Sequence, residues 1–149
     1  MTSLVASIRR RLRDSHQSPR EVSRSDREWR GQLSAEQYRI LRAGGTERPF
    51  SGVDIHPSAE AKTFSCAGCH AELFTSTDQF DSGTGWPSFT DALDGAVELS
   101  RSLSLGASEA VCRRCGGHLG HRFQDGPQPT GMRYCINSGA LVSAETDSS

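Results

Sequence analysis

Five cysteines carry most of the chemistry open to this chain of 149 residues, and their spacing divides them four to one. Cys66-x-x-Cys69 and Cys112-x-x-Cys115 stand 42 residues apart, and two such knuckles can grip one tetrahedral metal ion. Zinc is the expected ion, held at Zn–S distances of about 2.3 Å. Two redox dithiols, an iron centre or unrelated cysteines are the other readings. Four thiolates leave no open coordination position, so the zinc is expected to be structural. His70 would strain the knuckle as a ligand and is read as a solvated or packed side chain. Arg113 and Arg114, inside the second knuckle, are expected to offset the negative charge of the four thiolates.

Cys135 is the cysteine left over, in Arg133-Tyr134-Cys135-Ile136-Asn137. Alone between Tyr134 and Ile136 it reads as core packing; the alternative is a nucleophile. Gly117-His118-Leu119-Gly120-His121-Arg122-Phe123 favours the second reading. It places two imidazoles three residues apart on a segment that the Cys112/Cys115 knuckle would hold rigid. Imidazoles beside a thiol lower its pKa, donate protons or orient a substrate.

The elements that must position these groups are short. With 34% hydrophobic residues and 15 glycines, the chain has a modest core that gains from a metal staple. Residues 1–48 hold 11 arginines against 6 acids, and residues 49–149 hold 6 basic groups against 12 acids. Residues 1–27 are read as an arginine-rich flexible tail and residues 28–149 as one domain. The tail has no Phe, Tyr or Trp to stack on bases, which argues against nucleic acid, and its acids argue against a transit peptide. No apolar run is long enough to cross a membrane, and nothing demands more than a monomer. An odd cysteine count without a signal-peptide core points to a reducing, cytoplasmic setting. Ser34-x-x-Gln37 is a capping box, so a short N-terminal helix is expected over residues 34–42, stopped at Gly44-Gly45. Beyond it Gly, Pro, Ser, Thr and Asp punctuate short apolar runs, and Val97–Leu99 and Ser102–Leu105 alternate as strands do. The fold class is therefore mainly β.

Taken together, these motifs resemble the B-type methionine sulfoxide reductases, which reduce the R epimer of methionine sulfoxide. The resemblance runs from about Glu28 to Val142 and rests on ordered motifs: Thr46-Glu47-Arg48-Pro49-Phe50-Ser51-Gly52, both knuckles, Phe80 to Phe89, Gly117 to Phe123, and Arg133 to Asn137. It implies two small antiparallel sheets in a tent-like arrangement, with zinc at the end away from the active site. It also implies that Cys135 is catalytic and that Trp86, His118, His121, Arg133 and Asn137 line its pocket, with Asp125 nearby. His121, with His118 and Asp125, would then deliver a proton, and Trp86 would wall the substrate methyl. Arg133 and Asn137 would fix backbone, water or thiolate by hydrogen bonds.

The sequence departs from many relatives at Thr84, where they carry a second cysteine that resolves the sulfenic acid on the first. Here a thioredoxin-like or small-molecule thiol from outside is expected to do so. The substrate that the resemblance implies is methionine-R-sulfoxide, in proteins or free. The rival reading is a non-catalytic zinc-stapled β-domain that binds a peptide or small molecule.

Overall fold

Three phenylalanines from three different strands hold the centre of the molecule together. In the computed structural model Phe74 and Phe89 stack at 4.4 Å, while Phe64 meets Phe89 edge-on at 5.1 Å. Tyr134 meets Phe74 edge-on at 5.7 Å. Phe64, Phe74 and Phe89 are fully buried, and offset or edge-on pairs of this kind add to the gain from burial alone. The structure describes residues 20–104 and 106–145, the side chains of 101–104 excepted. Residues 1–19 of the expected tail, Leu105 and residues 146–149 lie outside that set.

Among the described residues, nine strands form two antiparallel sheets. The smaller has the order β2-β1-β9, from Glu72–Thr75, Lys62–Cys66 and Leu141–Glu145. The larger has the order β3-β4-β8-β7-β6-β5. Its strands are β3 (Gln79–Phe80), β4 (Ser88–Phe89), β5 (Val97–Ser104), β6 (Ala107–Cys112), β7 (His118–Phe123) and β8 (Arg133–Ile136). Val97–Leu99 and Ser102 pair along β6 as their alternation predicts, with a register shift between them. Among the described residues no helix is long and apolar enough to cross a membrane.

Among the described residues, two helices precede the sheets. The expected one is α2 (Ala35–Leu41), and its capping box is formed in full: Ser34 Oγ accepts from Gln37 N at 3.1 Å and Gln37 Oε1 accepts from Ser34 N at 2.9 Å. Ile40 and Leu41 are buried, and Gly44 leaves the helix with φ of 71°. The other, α1 (Asp26–Gln32), starts on a second capping box, Ser25 with Glu28, and buries Trp29. Its charged outer face lies within the arginine-rich stretch, which hid its periodicity. From Arg20 onward the chain packs on the knuckle end: Arg20 pairs with Glu98 at 2.8 Å, and Val22 N donates to Arg114 O at 3.0 Å.

Strand β8 fixes the outcome for Cys135. Its side chains alternate, so Tyr134 and Ile136 face the core while Arg133 and Cys135 face the other way and are only half-buried. The core-packing reading of Cys135 therefore fails by one step of register.

Candidate active site and metal centre

Four cysteine sulfurs converge at one end of the larger sheet. All lie within 4.8 Å of one another, with Cys66 Sγ and Cys115 Sγ 3.7 Å apart and Cys69 Sγ and Cys112 Sγ 3.6 Å apart. The edge of a tetrahedron with Zn–S bonds of about 2.3 Å is about 3.8 Å, whereas disulfide sulfurs sit about 2.0 Å apart. The spacing fits a metal ion and excludes bridging. All four side chains are buried, and the backbone N–H of Gly68 points at Cys66 Sγ over 3.3 Å, which suits a thiolate ligand. Zinc would be held here by Cys66, Cys69, Cys112 and Cys115. His70 is exposed, outside the cluster, with a φ of 67° in the knuckle turn.

The charge around the centre differs from expectation. Arg113 and Arg114 have exposed side chains, and Arg114 pairs with Glu21 at 3.4 Å. The cations that cover the knuckles come from the N-terminal segment instead. Arg24 and Arg42 lie over the Trp29 ring at 4.9 and 4.6 Å. Arg42 also donates to Cys115 O at 3.0 Å, and Gln32 donates to Gly68 O at 2.6 Å.

The second cluster surrounds Cys135. Its thiol opens on a pocket of about 120 Å3 lined by Thr46, Trp86, Gly120, His121, Phe123 and Asn137. β4 and β7 flank β8, so Ser88 and His121 stand opposite Cys135. Gly120 lets β7 approach β8, because a Cβ there would meet Cys135 O at 2.1 Å. Gly85 does the same for the Trp86 loop: with φ of 90° its carbonyl accepts from Phe50 N at 2.8 Å, which ties Thr46–Gly52 to the pocket.

His118 and His121 are three apart, and in an unbroken strand they would point to opposite faces. The β6–β7 register shifts between Ala110 and Val111, giving β7 one extra residue at Leu119. The two rings then meet edge-on at 5.6 Å. His121 lines the pocket, and His118 stands behind it, buried, with Nδ1 2.7 Å from Glu109 Oε2. A carboxylate there accepts, so Nδ1 carries the proton. Burial, and then the His118 charge, hold His121 below the ordinary 6.5 of an imidazole.

Arg133 lies two residues before Cys135 and binds Asp125. It donates to Asp125 Oδ1 and Oδ2 at 2.9 and 3.2 Å and lies 4.3 Å over the Phe123 ring. Its charge also acts on Cys135. The Arg133 guanidinium holds Asp125 below the usual carboxylate range, so Asp125 stays ionised while its two oxygens accept from Arg133. Burial raises Cys135 above the ordinary 9.0, and hydrogen bonding from Thr84 with the charge of Arg133 opposes this.

Asn137 is spent on backbone. Its Oδ1 accepts from Glu47 N at 2.9 Å and its Nδ2 donates to Leu119 O at 3.0 Å. Glu47 is the member of this site that reasoning from cysteines and histidines overlooks. It is buried, its carbonyl accepts from Trp86 Nε1 at 3.1 Å, and its carboxylate accepts from Ser138 Oγ and Gly139 N at 2.7 and 2.9 Å. Its signal lies in the motif Thr46 to Gly52, with nothing in the local chemistry to say why.

Comparison with known proteins places the chain in one family. The SelR domain matches residues 33–145. The chain belongs to the SelR domain family. Relatives named "Peptide methionine sulfoxide reductase MsrB" agree. One from Leptospira interrogans is 49% identical over 124 residues, covering 81% of this chain and 94% of its own. Those from Methanosarcina barkeri and Thiobacillus denitrificans are 51% and 52% identical, covering 80% and 79% of this chain and 86% and 91% of their own. A crystal structure of the Mis18 "Yippee-like" domain shares the fold alone, with a TM-score of 0.50 and 17% identity, covering 59% of this SelR-domain chain and 99% of that one. The chain is therefore identified as a B-type methionine sulfoxide reductase by family, consistent with the resemblance read from its motifs.

Proposed function

We propose that this protein reduces the R epimer of methionine sulfoxide to methionine through a sulfenic acid on Cys135. The observation that carries the reading is the convergence of Cys135, His121 and Trp86 on one pocket. The Cys135 thiolate attacks the sulfoxide sulfur, the oxygen passes to the cysteine sulfur, and methionine leaves. Protonated His121 supplies the proton that the oxygen needs as its bond to the substrate sulfur breaks, and His118 backs it. Trp86 and Phe123 offer the methyl an apolar wall while His121 faces the oxygen, and this asymmetry is what would distinguish R from S.

An outside thiol, thioredoxin-like or small, then attacks the sulfenic sulfur and releases water, and a second thiol frees Cys135 as the carrier disulfide departs. Thr84 cannot do this, and the four zinc-site cysteines lie at the other cluster. Five free cysteines suit the reducing, cytoplasmic setting that the reading assumes. Mass spectrometry after one turnover without reductant should find the adduct on Cys135; a disulfide from Cys135 to a knuckle cysteine would overturn the scheme. Because Thr84 is among the groups that act on the Cys135 thiol, Thr84→Cys should form an internal disulfide in turnover, visible as loss of two hydrogens on the intact mass.

The pH dependence follows from two groups displaced in opposite senses. Attack needs the Cys135 thiolate, whose pKa lies above 9.0, and a protonated His121, whose pKa lies below 6.5. Between the two, the gain in thiolate with rising pH cancels the loss of imidazolium. Single-turnover product formation should be flat from about pH 6.5 to about 9, falling below for want of thiolate and above for want of imidazolium. One steep limb across that window would contradict these assignments.

A further inference from the structure

Glu109 is a carboxylate that the steps above leave without a task. On the β6–β7 ladder it stands directly opposite His121, and His121 stands opposite Cys135 on β8. Carboxylate, imidazole and thiol therefore project on one face in a row across three strands. The contact that Glu109 makes is with the other imidazole. Its Oε2 lies 2.7 Å from His118 Nδ1, on the ring that the extra residue at Leu119 turns onto the same face. The His118 side chain is 8% exposed against 37% for Glu109, so the pair is no loose surface contact.

The far nitrogen of the same ring is the telling one. His118 Nε2 is buried and has no hydrogen-bond partner among the described residues, a costly condition for a polar atom. The ring in contact with His118 is that of His121, edge-on with centroids 5.6 Å apart. A modest turn of the half-buried His121 ring would bring one of its N–H groups onto Nε2. Each imidazole nitrogen donates or accepts, and the partner of one sets the role of the other. A carboxylate only accepts, so Glu109 keeps the His118 proton on Nδ1 and leaves Nε2 a lone pair. Facing that lone pair, His121 as imidazolium can give one N–H to His118 and the other to the sulfoxide oxygen. Facing an Nε2–H it would meet a second donor and lose that support.

We propose that Glu109 is a positioning residue for proton delivery: it fixes the tautomer of His118, and His118 in turn holds His121 with one N–H directed at the reacting oxygen. His121 gives its pocket-facing proton to that oxygen and keeps the one it shares with His118. The oxygen passes to Cys135 sulfur as a sulfenic acid, so the cysteine is oxidised and the sulfoxide reduced. No proton leaves the Glu109–His118 pair in this step. The use of the pair in turnover rests on the reductase reading, but the tautomer of His118 is a property of the folded chain.

The test joins nitrogen–proton correlation spectra of the histidine rings to single-turnover methionine formation, both on zinc-loaded protein at about pH 8, above the ordinary imidazole range. Parent His118 should show a protonated Nδ1 and a bare Nε2. Glu109→Gln keeps the size of the side chain but lets an amide N–H face Nδ1, so an Nε2–H should appear. Glu109→Ala, which removes the partner altogether, should show it too. In both variants the rate at saturating sulfoxide should fall by at least about 10-fold while the half-saturating concentration stays within about 2-fold, because proton delivery and not binding is lost. A role in packing alone would leave the tautomer unmoved. An Nε2–H on His118 in the parent, or a parent rate in either folded variant, would overturn the proposal, and Glu109→Gln decides alone if Glu109→Ala fails to fold. The spectra need no turnover. If the parent reduces neither epimer, the reductase reading fails by itself, and the spectra still decide whether Glu109 sets the tautomer of His118.

Discussion

Cys135→Ser is expected to lower methionine sulfoxide turnover by at least about 10³-fold while leaving zinc content unchanged. A serine hydroxyl at that position is far less nucleophilic than the thiol and cannot accept the oxygen as a sulfenic acid. The change should not disturb the fold, because Cys135 projects from the half-buried face of β8 while Tyr134 and Ile136 make the core contacts. Turnover with a thiol reductant and zinc analysis on the same preparation check both halves. Activity retained in the variant would place the nucleophile elsewhere among the cysteines, against the geometry of the pocket.

Removal of the metal should have the opposite signature, loss of the fold with loss of activity. Structural zinc in small domains contributes about 10–16 kcal/mol of apparent binding, against a typical domain stability of about 5–15 kcal/mol. The four thiols are buried beneath Trp29 and Leu41, and the second knuckle leads directly into β7 and His118. Without an ion, four sulfurs at 3.6 and 3.7 Å along opposite edges would ionise only against one another's charge. Strong chelation, or Cys115→Ser, should therefore abolish the cooperative thermal transition. A chelated protein that still melts cooperatively at an unchanged temperature would show that the staple is dispensable.

Much of this was legible from residue spacing, for reasons that differ by element. The knuckles are legible because two thiols two residues apart must turn toward one another, whatever surrounds them. Helix α2 is legible because a capping box is a local device, satisfied within four residues. The shared face of His118 and His121 is not, since period-two alternation puts them on opposite sides and only the shift opposite Val111 brings them together. The grip of Glu47 on Ser138 and Gly139, and of Asn137 on Glu47, joins segments about ninety residues apart that no local pattern links. The cations over the knuckles are not the exposed Arg113 and Arg114 of the second knuckle. They come from Arg24 and Arg42 because a tryptophan in α1 offers its face there.

The most direct test of the account is to present the zinc-loaded protein with the separate R and S epimers of dabsylated methionine sulfoxide, with dithiothreitol as the reductant. The account predicts conversion of the R epimer alone. Conversion of the S epimer would contradict the placement of methyl and oxygen in the pocket, and conversion of neither by a folded, zinc-loaded sample would return the protein to a zinc-stapled binding domain.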